Sequence, residues 1–222
     1  MTEISESLKV FKNIDQLNLY VVAEIISASN TDRESAIILS GGKTPAPIYQ
    51  TLNSSSDINK KARFVLSDER RVPITDPLSN EGMVRSYLKN INENNILSLH
   101  DLSISDELES IDQYQLAIIG LGLDGHTASI FPLMHNREEA LSTTKPILRV
   151  DSGFPDVPRI TLSLNEILKS KKIILLAPNK DKITLLQSKR TQPNLLPIDY
   201  LIQQVASFEI LTLPLISIFF RI

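Results

Sequence analysis

The chain has 222 residues, a formal net charge of −3 and 42% hydrophobic residues, which suits one sizeable α/β domain over residues 1–222. This charge balance offers no basic field for nucleic acid and no polybasic patch for a membrane surface. Because the sequence contains no cysteine, disulfides, thiolate catalysis and cysteine-ligated zinc are excluded. The amino-terminal segment has no apolar run of signal-peptide length, so we expect a cytoplasmic protein.

The first half of the chain alternates helices with short apolar strands. Residues 18–29 carry apolar side chains at helical spacing, and residues 36–40 form the first predicted strand. Pro45 is placed for the first turn of a helix over residues 45–53. A second strand over residues 63–70 and a helix over residues 80–90, with Asn80 as its cap, follow. This alternation predicts an α/β fold with a mainly parallel sheet flanked by helices.

The second half of the chain continues the same alternation. Residues 114–132 predict a strand, a glycine loop and a short helix that begins at Thr127. Residues 158–187 predict a strand, a helix, a buried strand and a further helix. The apolar segment 210–222 is interrupted by Pro214 and is shorter than the roughly 20 residues of a membrane helix. We therefore expect it to form a buried or half-buried strand region.

The first predicted strand is followed by four small or polar residues, Gly41, Gly42, Lys43 and Thr44. A Walker A loop would need glycine at position 37, which is Ile37, so this is not a nucleoside-triphosphate loop. Free backbone N–H groups and the positive end of a helix dipole can still bind a single phosphate here. A plain strand-to-helix turn is the alternative, because glycine and proline mark turns in many proteins.

The segment 118–132 carries the most informative cluster of the sequence. Its glycines at 120, 122 and 125 match a dinucleotide fingerprint, but Pro132 soon ends the helix that such a fingerprint requires. Asp124 and His126 place a carboxylate two residues from an imidazole in this loop. No other histidine has ligand spacing to His126, which favours a general base over a metal ligand. A structural histidine is the alternative, and we expect neither a metal nor a cofactor.

Charged and polar side chains gather where several predicted strands begin or end. These are Asp68, Arg70 and Arg71 at the second strand, the polar pair Ser79 and Asn80, and the later cations Arg159 and Lys180. A solvated charged face is the ordinary interpretation of such a run. Because binding groups collect at one edge of a parallel sheet, these cations and Lys43 would instead form one mouth suited to a phosphate dianion.

Six segments together resemble the 6-phosphogluconolactonase family. In chain order they are SGGKTP at 40–45, SDERRVP at 67–73, SN at 79–80, GLGLDGHTASIFP at 120–132, PRIT at 158–161 and Lys180 in APNK. The resemblance implies a three-layer, Rossmann-like α/β domain, shared with glucosamine-6-phosphate deaminase and ribose-5-phosphate isomerase. It also implies hydrolysis of 6-phospho-D-glucono-1,5-lactone to 6-phosphogluconate without a cofactor, by a chain compatible with a monomer.

The same resemblance assigns roles to individual residues. It implies that His126 is the general base for a water molecule, with Asp124 holding the imidazole or its loop. Backbone N–H groups of the glycine loops would stabilise the oxyanion. The residues expected to bind the substrate or its phosphate are Gly41, Gly42, Lys43, Thr44, Asp68, Arg70, Ser79, Asn80, Gly122, Arg159 and Lys180.

Two alternatives to lactone hydrolysis remain on the same fold. The deaminase relatives carry a glutamate five residues after the histidine, where this chain has Phe131, which favours the lactonase. A non-catalytic sugar-phosphate sensor normally has an attached DNA-binding module and lacks the histidine, and this chain has neither feature. One departure from the family pattern is Ala177. The family usually has a glycine at this position, before the lysine that corresponds to Lys180.

Overall fold

A seven-stranded parallel sheet forms the centre of the computed structural model, which describes residues 4–31, 35–101, 103–151, 153 and 155–214. The ten strands are β1 (Leu8–Val10), β2 (Ala36–Leu39), β3 (Arg63–Leu66), β4 (Asp68–Arg70), β5 (Ile96–Leu97), β6 (Leu116–Gly120), β7 (Ile147–Val150), β8 (Arg159–Leu162), β9 (Ile173–Leu176) and β10 (Phe208–Thr212). The order in the large sheet is β1-β10-β9-β6-β2-β3-β5, and its six pairings are parallel. The predicted α/β class with a mainly parallel sheet is confirmed.

Helices cover this sheet, so its central strands are apolar along their whole length. The nine helices within the described residues are α1 (Ile4–Ser7), α2 (Ile14–Ser29), α3 (Ala46–Asn53), α4 (Asn80–Tyr87), α5 (Ile104–Glu109), α6 (Arg137–Ser142), α7 (Leu164–Leu168), α8 (Lys180–Gln187) and α9 (Pro197–Gln204). Helices α2, α3 and α4 pack together, and α6, α7 and α9 form a second group. Every residue of β2 and β9 is buried, as expected for a parallel sheet covered on both faces.

A second, antiparallel sheet of three strands, in the order β4-β8-β7, stands beside the large one. The predicted strand over residues 63–70 therefore divides into β3 and β4, with Ser67 between them. The register pairs Asp68 with Thr161 and Arg70 with Arg159. Because opposite residues of an antiparallel pair project from the same face, this register brings the two arginines together.

Several local predictions are corrected by the structure. Ser79, not Asn80, caps α4: its side chain accepts a hydrogen bond from the Gly82 N–H, and the helix ends at Tyr87. No helix begins at Thr127, and the described backbone from 121 to 136 is irregular, with a single bridge between Thr127 and Ile130. Backbone turns around His126 occupy the segment that would have formed that helix.

At the carboxyl end, the predicted strand region over residues 210–222 is confirmed where it overlaps β10, whose last three residues are buried. Residues 215–222 lie outside the described residues. Within the part of the chain that the structure describes, no helix combines the length and the apolar character needed to cross a membrane.

Glu209 on β10 ties the edge of the large sheet to α2. Its carboxylate accepts hydrogen bonds from Tyr20 at 2.7 Å and pairs with Lys9 at 2.7 Å and Lys172 at 3.1 Å. Burial alone would raise the pKa of Glu209, but hydrogen bonds from Lys9, Tyr20 and Lys172 outweigh it and lower the pKa below its ordinary value. The ionised carboxylate therefore stabilises the folded chain.

Glu209→Gln should lower the free energy of unfolding by roughly 1–3 kcal/mol at neutral pH, because it removes the charge shared by two lysines. Since the folded-state pKa is lowered, this contribution is present above the unfolded pKa and is lost as the pH falls through the folded one. Urea unfolding over a pH series checks both statements. As a control, Lys9→Met, at a half-exposed position, should cost less than about 1 kcal/mol. Equal stability of wild type and Glu209→Gln at neutral pH would contradict the assignment.

Candidate functional site

A cavity of about 200 Å³ opens at the carboxyl ends of β2, β6 and β9. From β2 the chain continues to β3 on one side of the sheet, and it later returns to β6 on the other side of β2. The strand order therefore reverses at β2. This is the place where ligands bind in open parallel sheets. The lining residues are Ser40, Gly41, Gly42, Lys43, Thr44, Pro45, Asp68, Arg70, Asn80, Gly120, Leu121, Gly122, His126, Ala128, Phe131, Arg159, Leu176 and Lys182.

The loop after β2 forms one wall of the cavity. Pro45 precedes the first residue of α3, as predicted, and Gly42 adopts a φ of +89°, which favours glycine. A side chain at Gly41 would run into the carboxamide of Asn80, so glycine allows the loop and α4 to approach. The amides of Gly41 and Gly42 have no hydrogen-bond acceptor within the described residues and remain able to bind an anion.

His126 stands on the opposite wall, in the loop after β6. The carboxylate of Asp124 lies 2.6 Å from Nδ1 of His126 and also accepts the His126 backbone N–H at 3.1 Å. An ionised carboxylate only accepts hydrogen bonds, so in the neutral imidazole the proton sits on Nδ1 and the lone pair on Nε2. Nε2 has no hydrogen-bond partner within the described residues, which is the state a general base requires.

The structure changes the expected role of Gly122. Its backbone N–H donates to the carbonyl of His126 at 2.9 Å, so this amide is already used within the loop and is not free for an oxyanion. A side chain at Gly122 would collide with the imidazole and with the carboxylate of Asp124. Gly122 therefore provides room for the histidine rather than a donor for the substrate.

Arg70 and Arg159 lie side by side because β4 and β8 pair them. Burial, with the charge of Arg70 beside it, lowers the pKa of Arg159, while Asp68 opposes this change. Asp68 is itself held by Ser129, whose hydroxyl donates at 2.6 Å. Among the described residues, the buried Nε atoms of both arginines have no hydrogen-bond partner. Two adjacent cations with unused donors are suited to a dianion.

Lys182, which the sequence did not single out, replaces Lys180 at the cavity. Lys180 is the first residue of α8 and is exposed, and it does not line the cavity. Residues two apart on a helix do not share a face, so Lys182 occupies the other side and lines the cavity. Burial lowers the pKa of Lys182, because no described anion compensates its charge.

The aromatic side chain of Phe131 contacts both the histidine and one of the paired arginines. The ring of Phe131 has its centroid 4.6 Å from that of His126, at an interplanar angle of 46°. The guanidinium carbon of Arg159 lies over the same ring, 5.4 Å from its centroid. Phe131 thus lies between the imidazole and one of the paired arginines.

Ser79 and Asp124 lie outside the lining of the cavity and support residues that belong to it. Ser79 caps α4, which begins with Asn80, and Asn80 accepts a hydrogen bond from Arg70. Asp124 supports the cavity by its hydrogen bond to His126. Apart from Lys180, the other predicted site residues, Lys43, Thr44 and Asp68 among them, line the cavity directly.

Glu69, Glu81 and His100 bring three potential metal ligands within 4.8 Å of one another. However, the Glu69 carboxylate already accepts hydrogen bonds from the backbone of Arg70, Asn80 and Glu81 and from the Ser79 hydroxyl. These four bonds use the lone pairs of both its oxygens. The cluster therefore fixes the beginning of α4, and a metal there would have to break that cap.

Comparison with known proteins agrees with this geometry. The sequence model of the family described as glucosamine-6-phosphate isomerases/6-phosphogluconolactonase matches residues 12–208. A 6-phosphogluconolactonase of Thermotoga maritima is 33% identical over 160 residues, 66% of this chain and 70% of the relative. Another, of Caulobacter vibrioides, is 33% identical over 162 residues, 66% of this chain and 69% of the relative.

Solved structures give the same result for the fold. A crystal structure of a 6-phosphogluconolactonase from Shewanella baltica superposes with a TM-score of 0.82 at 24% identity, covering 93% of this chain and 97% of that one. The Thermotoga maritima 6-phosphogluconolactonase structure gives 0.77 at 26% identity, covering 93% and 98%. With its sequence matched from residue 12 to residue 208, the chain belongs to the family of glucosamine-6-phosphate isomerases and 6-phosphogluconolactonases.

Proposed function

We propose that this chain hydrolyses 6-phospho-D-glucono-1,5-lactone to 6-phospho-D-gluconate, a step of the oxidative pentose phosphate pathway. The observation that carries the proposal is the free Nε2 of His126, oriented by Asp124, in one cavity with several cations. The relatives named above are 6-phosphogluconolactonases, which supports the same substrate here. A lactone carbonyl is already electrophilic, so the site needs an oriented water molecule rather than a covalent nucleophile.

In the proposed mechanism, Nε2 of His126 removes a proton from water while the water oxygen attacks the lactone carbonyl carbon. The negative charge moves to the carbonyl oxygen, where the free amides of Gly41 and Gly42 stabilise it. The bond from the carbonyl carbon to the ring oxygen then breaks, and the imidazolium returns its proton to that oxygen. One water molecule is consumed, and the products are a hydroxyl group and a carboxylic acid, which releases its proton to solvent and becomes the carboxylate.

The phosphate of the substrate would lie against Arg70, Arg159 and Lys182, with Lys43 at the mouth of the cavity. Arginine binds phosphate with two parallel hydrogen bonds, and lysine adds a point charge. Burial increases the strength of these interactions, because the local dielectric is low. A bound dianion would also relieve the repulsion between the paired arginines.

His126→Ala should lower kcat/KM by at least about 100-fold, since it removes the general base. The lactone would be generated from glucose 6-phosphate with its dehydrogenase, and its loss followed below neutral pH, where spontaneous hydrolysis is slower. His135→Ala is the matched control, because His135 is exposed and does not line the cavity, and it should retain the wild-type rate. Full activity of His126→Ala would refute the mechanism.

Lys182→Met should raise KM by roughly 10-fold or more, because a charge-assisted bond to the phosphate is lost. Lys180→Met removes the same charge from the same helix at an exposed position and should change KM by less than about 2-fold. Steady-state kinetics of the two variants would distinguish the lysines. A larger effect at Lys180 than at Lys182 would reverse the assignment.

The expectation that the enzyme is one domain over residues 1–222 and acts as a monomer in the cytoplasm stays a prediction. Light scattering at assay concentrations should give the mass of one chain.

A further inference from the structure

We propose that Phe131 is a positioning residue that holds the imidazole of His126 and the guanidinium of Arg159 in one fixed relative geometry. The inference rests on the proposed function, because it assigns those two groups to proton transfer and to phosphate binding. It deepens that function by naming the contact that links the two parts of the site.

His126 needs a second contact besides its hydrogen bond. Its side chain is 32% exposed and that of Asp124 is 52% exposed, so water competes for the bond between them. One hydrogen bond at Nδ1 also leaves the imidazole able to swing about that bond. The ring of Phe131, tilted by 46° and with its centroid 4.6 Å from that of the imidazole, blocks this motion at a distance within the usual range of aromatic pairs.

Arg159 is buried but weakly held by hydrogen bonds. Its Nη2 donates to Pro155 O at 3.2 Å and its Nη1 to the Ser129 hydroxyl at 3.5 Å, and Asp68 is 3.9 Å away. Nε has no partner. The face of Phe131 attracts the guanidinium without using any of its N–H groups. It therefore orients the cation and leaves the donors available for phosphate.

Phe131 is itself firmly placed. It is 8% exposed, and Gly153 approaches both the ring and Arg159 so closely that an added Cβ would lie 2.9 Å from the Arg159 Nε. Gly153 has a φ of +115°, a conformation that favours glycine. The ring, the guanidinium and this glycine form a close-packed group. This packing keeps Phe131 in one position against His126 and Arg159.

The test uses Phe131→Leu and Phe131→Met, which both keep an apolar side chain but remove the aromatic face. Calorimetry would measure the dissociation constant of 6-phosphogluconate, and steady-state kinetics would give kcat and KM separately. We expect both variants to weaken binding by about 5- to 10-fold and also to lower kcat. Thermal unfolding would verify that each variant is folded.

A role through Arg159 predicts non-additive effects. In an Arg159→Met background, Phe131→Leu should weaken 6-phosphogluconate binding no further, whereas a merely structural effect would add to that of Arg159→Met. Wild-type binding and kcat in Phe131→Leu, or additive losses in the double variant, would overturn the role of Phe131 and leave the proposed function intact. A wild type that neither binds 6-phosphogluconate nor hydrolyses the lactone would overturn both.

Discussion

The parallel pairing of β2 with β6 is the constraint on which the site depends. It puts the loop at Gly41 and Gly42 beside the loop that carries His126, although the two are more than 80 residues apart in the chain. Because both strands are fully apolar and covered by helices, their register is fixed by burial. The loops at their ends can therefore be irregular without losing their relative position, and irregular backbone is what the site uses.

The small antiparallel sheet adds a second constraint of a different kind. Its register puts Arg159 opposite Arg70 and so brings two like charges together. Burial, and after it the charge of Arg70, lowers the pKa of Arg159. One carboxylate, Asp68, compensates them only partly. In the proposed function, a bound dianion would reduce the repulsion between these two cations, so their pairing would favour a phosphate over an uncharged group.

The sequence predicted the fold class because buried parallel strands are continuous apolar runs, such as residues 36–39 and 173–176. The sequence also singled out His126, which lines the cavity, because histidine, aspartate and three glycines within seven residues have few structural explanations. It could not distinguish Lys180 from Lys182, since the choice depends on the residue at which α8 begins. It also could not show that the Gly122 amide is occupied by the His126 carbonyl, because a closed turn and an open anion loop share the same glycines.

Burial divides the site into two environments. Arg159 is 3% exposed. The low dielectric of this buried position would strengthen each contact of its guanidinium with a phosphate. The imidazole of His126 remains about one-third exposed, where it can receive a water molecule and exchange protons with solvent. Arg159 needs a buried environment and His126 needs access to solvent, so one environment cannot suit both groups. An apolar ring at the boundary separates them and contacts both, because its face attracts a cation while its bulk excludes water from the buried side. Phe131 lines the cavity and contacts both groups, so it has the position and the chemistry for this boundary.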